Sequence, residues 1–212
     1  MKKYLLTLPL LSLLALASCK NNDEETSPYH NWEARNAQWF AEKYDSAQAA
    51  IRAAQAAYPG DEWEQHCDWR IFRTLLKSDN AALASTDHIV CKVMRHGTGT
   101  WSAAYTDSVS LYYRGWIMDT NYPASKTNMA IFSQTYFGEL NEKTAAPIKM
   151  RVSNTVEGFQ TAVQYMVDGD DWLIYIPQQM AYGEKDSQAI PSFSTLLFRL
   201  TIDKMHKSGS SW

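Results

Sequence analysis

The chain has 212 residues, 45% of them hydrophobic and 20% charged, with a formal net charge of −3. This composition can build a hydrophobic core and argues against intrinsic disorder. No cluster of Lys and Arg is present, so nucleic acid is not an expected partner.

The chain begins with the pattern of a secretory leader. Lys2 and Lys3 precede an apolar run that ends at Ala17, and Cys19 follows Ser18. The run is shorter than the roughly 20 residues that a membrane-spanning helix needs, which favours a cleaved signal over a transmembrane anchor. We expect residues 1–18 to be removed as a lipoprotein signal peptide and Cys19 to carry the lipid that holds the protein at a membrane of the bacterial cell envelope. Cleavage also removes both leader lysines, which takes the formal net charge from −3 to −5.

A polar tether at residues 19–28 leads into a helical amino-terminal segment at residues 29–86. From Trp32 to Tyr58, large apolar residues and alanines recur at steps of three and four, and Pro59 and Gly60 end the run. This spacing predicts one long amphipathic helix. Its tryptophans are expected to pack on their own domain, and a binding stripe for a partner is the alternative interpretation.

Cysteines and histidines give no metal motif. With Cys19 assigned to lipid, Cys67 and Cys91 remain, and the sequence leaves open whether they form a disulfide or are two buried thiols. The five histidines have no spacing typical of metal ligands, so neither a metal nor another cofactor is expected.

The middle of the chain reads as strands. Two stretches, at residues 67–78 and 87–100, have the composition of strands. In residues 107–119, Val109, Leu111 and Tyr113 alternate with polar neighbours. This alternation predicts a strand with one covered face.

The last third of the sequence indicates the fold class. Phe159, Val163 and Met166 follow a helical spacing, and Asp168 and Gly169 are expected to end that short helix. Strands are predicted at residues 171–177 and 194–203. One short helix among antiparallel strands predicts an α+β fold, a half-wrapped β-sheet around that helix, preceded by the long amino-terminal helix.

Five blocks of sequence between Val109 and Asp203 identify a family. They read "LYYRG", "FSQT", "TVEGF", "GDDWLIYIPQQMAYG" and "IPSFSTLLF". In order and spacing they resemble the pattern of FKBP-type peptidyl-prolyl cis-trans isomerases. The resemblance implies an isomerase domain at residues 87–205, followed by a tail at residues 206–212.

The resemblance also implies the residues of the site. Tyr182 and Phe159, together with the backbone N–H of Val156, take the central roles, and Phe159 stands where the family commonly has tryptophan. The cleft is expected to be lined further by Tyr113, Phe132, Ile148, Ile190 and Phe198. Proline-containing polypeptides are the implied substrates, and macrolides are candidate ligands.

Isomerisation at such a site requires no covalent chemistry. Rotation about an X–Pro bond is slow because the twisted amide loses resonance. An apolar pocket favours the less polar twisted amide, and a few hydrogen bonds hold the flanking carbonyl groups.

Two features depart from the family pattern. Ser133 replaces the aspartate of the second block, so a polar contact with the substrate or a neighbouring tyrosine is expected to be missing, and the loop from Asp119 to Ala130 is longer than in a minimal domain. Ile148 stands where an aromatic residue is common. The main hypothesis is an isomerase that assists protein folding in the envelope, and the alternative is a catalytically weak peptide-binding module or chaperone with the same pocket.

Overall fold

The computed structural model describes residues 27–121 and 129–209. The expected signal peptide and Cys19 lie outside the described residues. Residues 27–30 form a turn in which the His30 N–H donates to the Ser27 carbonyl (2.9 Å). A second compact unit begins at Asn31 and contains the elements below.

The described residues of the second unit form two α-helices and a seven-stranded sheet in which neighbouring strands pair antiparallel. The elements in chain order are α1 (Trp32–Ala57), β1 (Trp69–Arg73), β2 (His88–Arg95), β3 (Ser108–Met118), β4 (Met129–Gln134), β5 (Ile148–Arg151), α2 (Glu157–Val163), β6 (Asp171–Ile176) and β7 (Leu196–His206). The strands follow the order β1-β2-β6-β7-β3-β4 across the sheet, and β5 pairs with β3 on the same side as β4. The predicted α+β architecture is confirmed.

The long helix packs on the sheet through its amino-terminal half. Trp32 and Trp39 are 6% and 5% exposed and belong to the main core, which confirms that the tryptophans pack on their own domain. Trp32 Nε1 donates to Ser194 Oγ (3.0 Å), and the Thr195 N–H donates to Asn36 Oδ1 (2.8 Å). These bonds attach the helix to the residues directly before β7.

Strand β1 lies within the segment that the sequence analysis assigned to the helical part of the chain. It pairs with β2 from Trp69↔Lys92 to Arg73↔His88, so it is the edge strand of the same sheet. The side chain of Thr74, which follows β1, donates a hydrogen bond to the Glu157 carboxylate at the start of α2. The boundary at residue 87 stays a prediction, and these contacts favour an earlier start.

Two details of the predicted elements are wrong. The side of β3 expected to face solvent is covered: Ser110 and Tyr112 are buried, because the Ser110 hydroxyl donates to Asp203 and the Tyr112 ring lies under the segment around Glu142. Helix α2 ends at Val163, before Asp168.

Helix α2 is enclosed on more sides than its single apolar stripe indicates. Gly158 to Val163 are all buried, including the polar Gln160 and Thr161. A Cβ at Gly158 would lie 2.3 Å from Ile176 Cγ2, so only glycine allows the helix to approach β6 this closely. This close packing fixes the position of Phe159, one residue further on.

Cys67 and Cys91 are free thiols, and both are buried. Burial raises the pKa of the Cys91 thiol well above its usual range. The thiol is therefore protonated at neutral pH and chemically inert. Of the two alternatives that the sequence left open, the structure has the pair of buried thiols.

Candidate functional site

A cavity of about 210 Å³ opens where the sheet, helix α2 and the connection between β6 and β7 meet. Strands β3, β4 and β7 contribute aromatic side chains, and α2 contributes Phe159. The cavity contains all but one of the side chains predicted for the cleft. They are Tyr113, Phe132, Val156, Phe159, Tyr182, Ile190 and Phe198.

Phe198 is the centre of the aromatic cluster. Its ring lies 5.4 Å from Phe132 and 5.4 Å from Phe159, with interplanar angles of 89° and 88°, and 6.1 Å from Tyr113. Edge-to-face contacts of this kind stabilise ring pairs beyond the burial of their area. Phe198 therefore holds the cluster together, and its removal would take away the ring contact of each of the other three.

Gly115 in "LYYRG" has a steric reason to be glycine. A Cβ at this position would lie 2.6 Å from Phe132 Cζ and 2.8 Å from Phe198 Cε1. Any side chain on β3 at this point would displace both rings. The glycine of this block therefore sets the depth of the pocket.

The connection after β6 carries Tyr182 to the rim. A single 3-10 turn at Gln178–Met180 follows Pro177, and Met180 is fully buried beneath it. Gly183 has φ +63, a left-handed conformation, and its N–H donates to the Gln178 carbonyl (2.9 Å). The turn thereby directs Tyr182, which is 39% exposed, towards the cavity.

Two hydrogen-bond donors at the cavity are available to a ligand. Neither the Tyr182 hydroxyl nor the backbone N–H of Val156 donates a hydrogen bond to any acceptor within residues 27–121 and 129–209. Val156 has extended backbone and precedes the first turn of α2, where N–H groups have no partner inside the helix. Carbonyl groups of an extended peptide are suitable acceptors for both donors.

Ser133 keeps a polar contact that the sequence analysis expected to be missing. Its Oγ lies 2.6 Å from the hydroxyl of Tyr113. The serine is long enough to reach the tyrosine, because β3 and β4 are neighbouring strands and pair Gly115 with Ser133. The replacement of aspartate therefore removes a negative charge and leaves the hydrogen bond to the neighbouring tyrosine in place.

Ile148 does not line the cavity, and Met150 does. Both lie on β5 and, two residues apart, face the same side of the sheet. Alternation along the strand therefore cannot distinguish them. The register Val109↔Met150 and Leu111↔Ile148, which decides between them, depends on long-range pairing.

A tight reversal at residues 187–190 closes one side of the cavity and has no signal in the sequence. Ser187 and Ile190 exchange two backbone hydrogen bonds of 2.9 Å, and Gln188 between them has φ 51. Asn or Gly is the usual marker of such a turn, and here the two central residues are Gln and Ala. Gln188 and Ala189 line the cavity.

No charged side chain lines the cavity among the residues that the structure describes. A nearby ion pair lies on β6 and β7: Arg199 donates to the buried Asp171 carboxylate through Nη2 (2.7 Å) and Nε (3.0 Å). This hydrogen bonding raises the pKa of Arg199 above its usual value. The cavity itself offers aromatic surface, hydroxyls and backbone groups, which suit binding and orientation better than proton transfer or nucleophilic attack.

Fold and site together define a domain that encloses an apolar group in an aromatic pocket and orients it with a few hydrogen bonds. The model of the FKBP-type peptidyl-prolyl cis-trans isomerase family matches residues 99–203. Residues 99–203 therefore form a domain of this family.

Three curated relatives illustrate the similarity. The FKBP-type 22 kDa peptidyl-prolyl cis-trans isomerase of Escherichia coli is 31% identical over 112 residues, which cover 52% of this chain and 47% of the relative. FK506-binding protein 1 of Aspergillus oryzae is 28% identical over 117 residues, which cover 54% of this chain and 96% of that protein. Outer membrane protein MIP of Legionella longbeachae is 26% identical, over 55% of this chain and 44% of its own. The match thus spans about half the length of these two bacterial relatives.

Proposed function

We propose that the protein is a peptidyl-prolyl cis-trans isomerase that acts on extended or unfolded polypeptides. One observation carries the proposal: a single uncharged cavity joins the aromatic cluster around Phe198 to the unpaired donors of Val156 and Tyr182. The family match of residues 99–203 supports the same activity.

The proposed mechanism uses enclosure and orientation. The proline ring enters between Phe159, Phe132 and Phe198, where the removal of water disfavours the planar, charge-separated amide relative to the twisted one. The Val156 N–H and the Tyr182 hydroxyl hold carbonyl groups of the substrate while the X–Pro bond rotates. No bond is made or broken along this path.

Refolding kinetics separate the isomerase from the alternative of a peptide-binding chaperone. A protein whose slow refolding phase is limited by one prolyl bond is refolded with residues 20–212 at one hundredth of its concentration. An isomerase accelerates the slow phase in proportion to its own concentration, since each molecule turns over many times. A chaperone that only binds leaves the phase unchanged at this ratio, and that result would favour the alternative.

Tyr182→Phe tests the rim hydrogen bond. We expect kcat/KM to fall roughly 2- to 10-fold, because a neutral hydrogen bond is worth about 0.5–1.5 kcal/mol. Exchange NMR on a short X–Pro peptide measures the rate directly. Tyr165→Phe, at another partly exposed tyrosine outside the cavity, is the matched control and should retain wild-type kcat/KM. Equal rates for wild type and Tyr182→Phe would contradict a role for the hydroxyl.

Ser133→Asp tests what the missing charge does. The carboxylate would accept a charge-assisted hydrogen bond from the Tyr113 hydroxyl, and such a bond is about twice as strong as a neutral one. We expect the same peptide assay to give a kcat/KM about 2- to 10-fold above wild type. Ser133→Asn adds similar volume without charge, so equal rates for the Asp and Asn variants would show that charge is not the missing factor.

We also propose that the protein works in the bacterial cell envelope, held to a membrane by lipid on Cys19. The leader pattern supports this proposal, as does the similarity to a relative whose name places it in the outer membrane. No helix in the described part of the chain is long and apolar enough to cross a bilayer. A macrolide is a further candidate ligand of the pocket, since one relative is named for binding FK506.

Cys19→Ala tests the lipid anchor. Cells expressing the full chain are labelled with an alkyne fatty acid, and we expect label on wild type and none on the variant. The variant should also keep its leader uncleaved, because lipoprotein processing requires the cysteine. Equal labelling of the two proteins would rule out lipidation at Cys19.

A further inference from the structure

A second cavity, of about 610 Å³, adjoins the aromatic pocket. Its walls come from the start of β3, from β5 and from the end of β7, and we call it the cationic groove. Lys149, Arg151 and Lys207 line it together with His206, and among the described residues no Asp or Glu does. This concentration of positive charge is unusual in a chain whose formal net charge is −3.

The sheet register explains why the cations gather. Ser108 pairs with Arg151 on one side and with His206 on the other, and Ser110 pairs with Lys149 and Lys204 in the next row on the same face. Residues directly opposite each other in an antiparallel sheet share a face. Two rows of basic side chains therefore flank Ser108 and Ser110 on one face of the sheet, and the row at Ser108 opens into the groove.

Carboxylates on adjoining residues already have partners. Asp107 accepts from the N–H groups of Ala104 and Ser208 (2.9 and 2.8 Å), and Asp203 accepts from the Ser110 hydroxyl (2.8 Å). Asp168 pairs with Lys204 (3.2 Å). The exposed Arg151 guanidinium, in contrast, has neither a hydrogen bond nor an ion pair with any residue that the structure describes.

The groove is continuous with the pocket. Met150 and Asn154 line both cavities. Asn154 is two residues before Val156, so their Cα atoms lie within about 7 Å of each other. An extended peptide bound at the Val156 N–H therefore reaches the groove within two or three residues of its proline.

We propose that the cationic groove binds an acidic side chain of the same polypeptide whose proline occupies the pocket. This proposal rests on the proposed isomerase function and names its preferred substrates: X–Pro sequences with Asp or Glu within about three residues of the proline. Electrostatic attraction concentrates such segments at the site and lowers KM.

Exchange NMR on a peptide series tests the proposal without a coupling protease, whose own specificity would interfere. The peptides share one Leu-Pro bond and carry Glu, Gln or Lys at the second position before the leucine, which is the third before the proline, or at the third position after the proline. We expect one of the two Glu peptides to exceed its Gln counterpart in kcat/KM by about three- to tenfold at low salt. The difference should nearly vanish in 1 M NaCl, where the screening length is about 3 Å.

Reversing the charge of Arg151 tests whether the cationic groove causes the preference for Glu peptides. In Arg151→Glu, the ratio of the Glu to the Gln peptide should fall to one or below, and the Lys peptide should become the better substrate. Arg52→Glu makes the same change at an exposed position on α1 and should keep the wild-type ratio. Each ratio is measured on one protein, so a small change in folding or overall rate cancels.

The outcomes separate the two proposals. Measurable exchange with equal rates for the Glu and Gln peptides would overturn the groove and leave the isomerase intact. If no peptide is isomerised, the proposed function fails. The groove is then tested by fluorescence anisotropy on dye-labelled versions of the same peptides. Tighter binding of a Glu peptide than of its Gln counterpart supports the groove, and equal binding overturns it. Arg151-dependent binding to anionic lipid vesicles without any peptide preference would also overturn it, in favour of a membrane surface.

Discussion

Phe159→Ala is expected to lower kcat/KM on an X–Pro peptide by more than tenfold and to destabilise the fold by about 3–5 kcal/mol. Phe159 is 4% exposed, lines the cavity and contacts Phe198 edge to face. Its removal admits water to the pocket and leaves Phe198 without one of its ring partners. Both consequences weaken the preference for a twisted amide.

A second core truncation on the same helix separates the two effects of Phe159→Ala. Val163→Ala truncates a fully buried side chain on the same helix that does not line the cavity. Chemical denaturation gives the free energy of unfolding for each variant, and exchange NMR gives kcat/KM under conditions where both are folded. A folded Phe159→Ala protein with wild-type kcat/KM would remove Phe159 from the proposed mechanism.

The second large effect is expected from truncation. A chain that begins at Asp87 lacks α1 and β1, and we expect it to show no cooperative unfolding transition, whereas a chain that begins at Asn31 unfolds in one transition. The truncation exposes β2, in which Ile89, Val90 and Cys91 are completely buried. The core also loses Trp39, and Glu157 loses the hydrogen bond that Thr74 donates to it.

An intermediate chain that begins at Cys67 keeps β1 and lacks α1, so it separates the contribution of the edge strand from that of the helix. Thermal unfolding followed by circular dichroism measures cooperativity, and exchange NMR measures activity in the same samples. If the chain that begins at Asp87 unfolds cooperatively and is as active as the longer one, the boundary at residue 87 is correct and the amino-terminal segment is dispensable.

The sequence was informative where local physics fixes the structure. The long helix follows from its spacing and from Pro59 and Gly60, and the inward face of β7 follows from the alternation of Leu196, Phe198 and Leu200. Tyr182 and Phe159 could be located because the family blocks place each of them beside a glycine that the fold requires, Gly183 in a turn and Gly158 in the contact of α2 with β6.

The missed features depend on contacts between distant parts of the chain. The pairing of β1 with β2 and the choice of Met150 over Ile148 are decided by register, which alternation leaves open. The burial of Tyr112 depends on the segment at Glu142, which carries no regular pattern. The reversal around Gln188 lacks the turn residues that would mark it.

The central claim is that the aromatic pocket catalyses rotation about X–Pro bonds, and two-dimensional exchange NMR on a peptide with one Leu-Pro bond tests it most directly. Without catalyst, cis and trans peptide exchange over about 10–100 s, too slowly to give exchange cross-peaks. With residues 20–212 at a small fraction of the peptide concentration, we predict cross-peaks between the two isomers, with an exchange rate proportional to protein concentration. Broadening of the peptide signals without any cross-peaks would mean binding without catalysis and would contradict the claim.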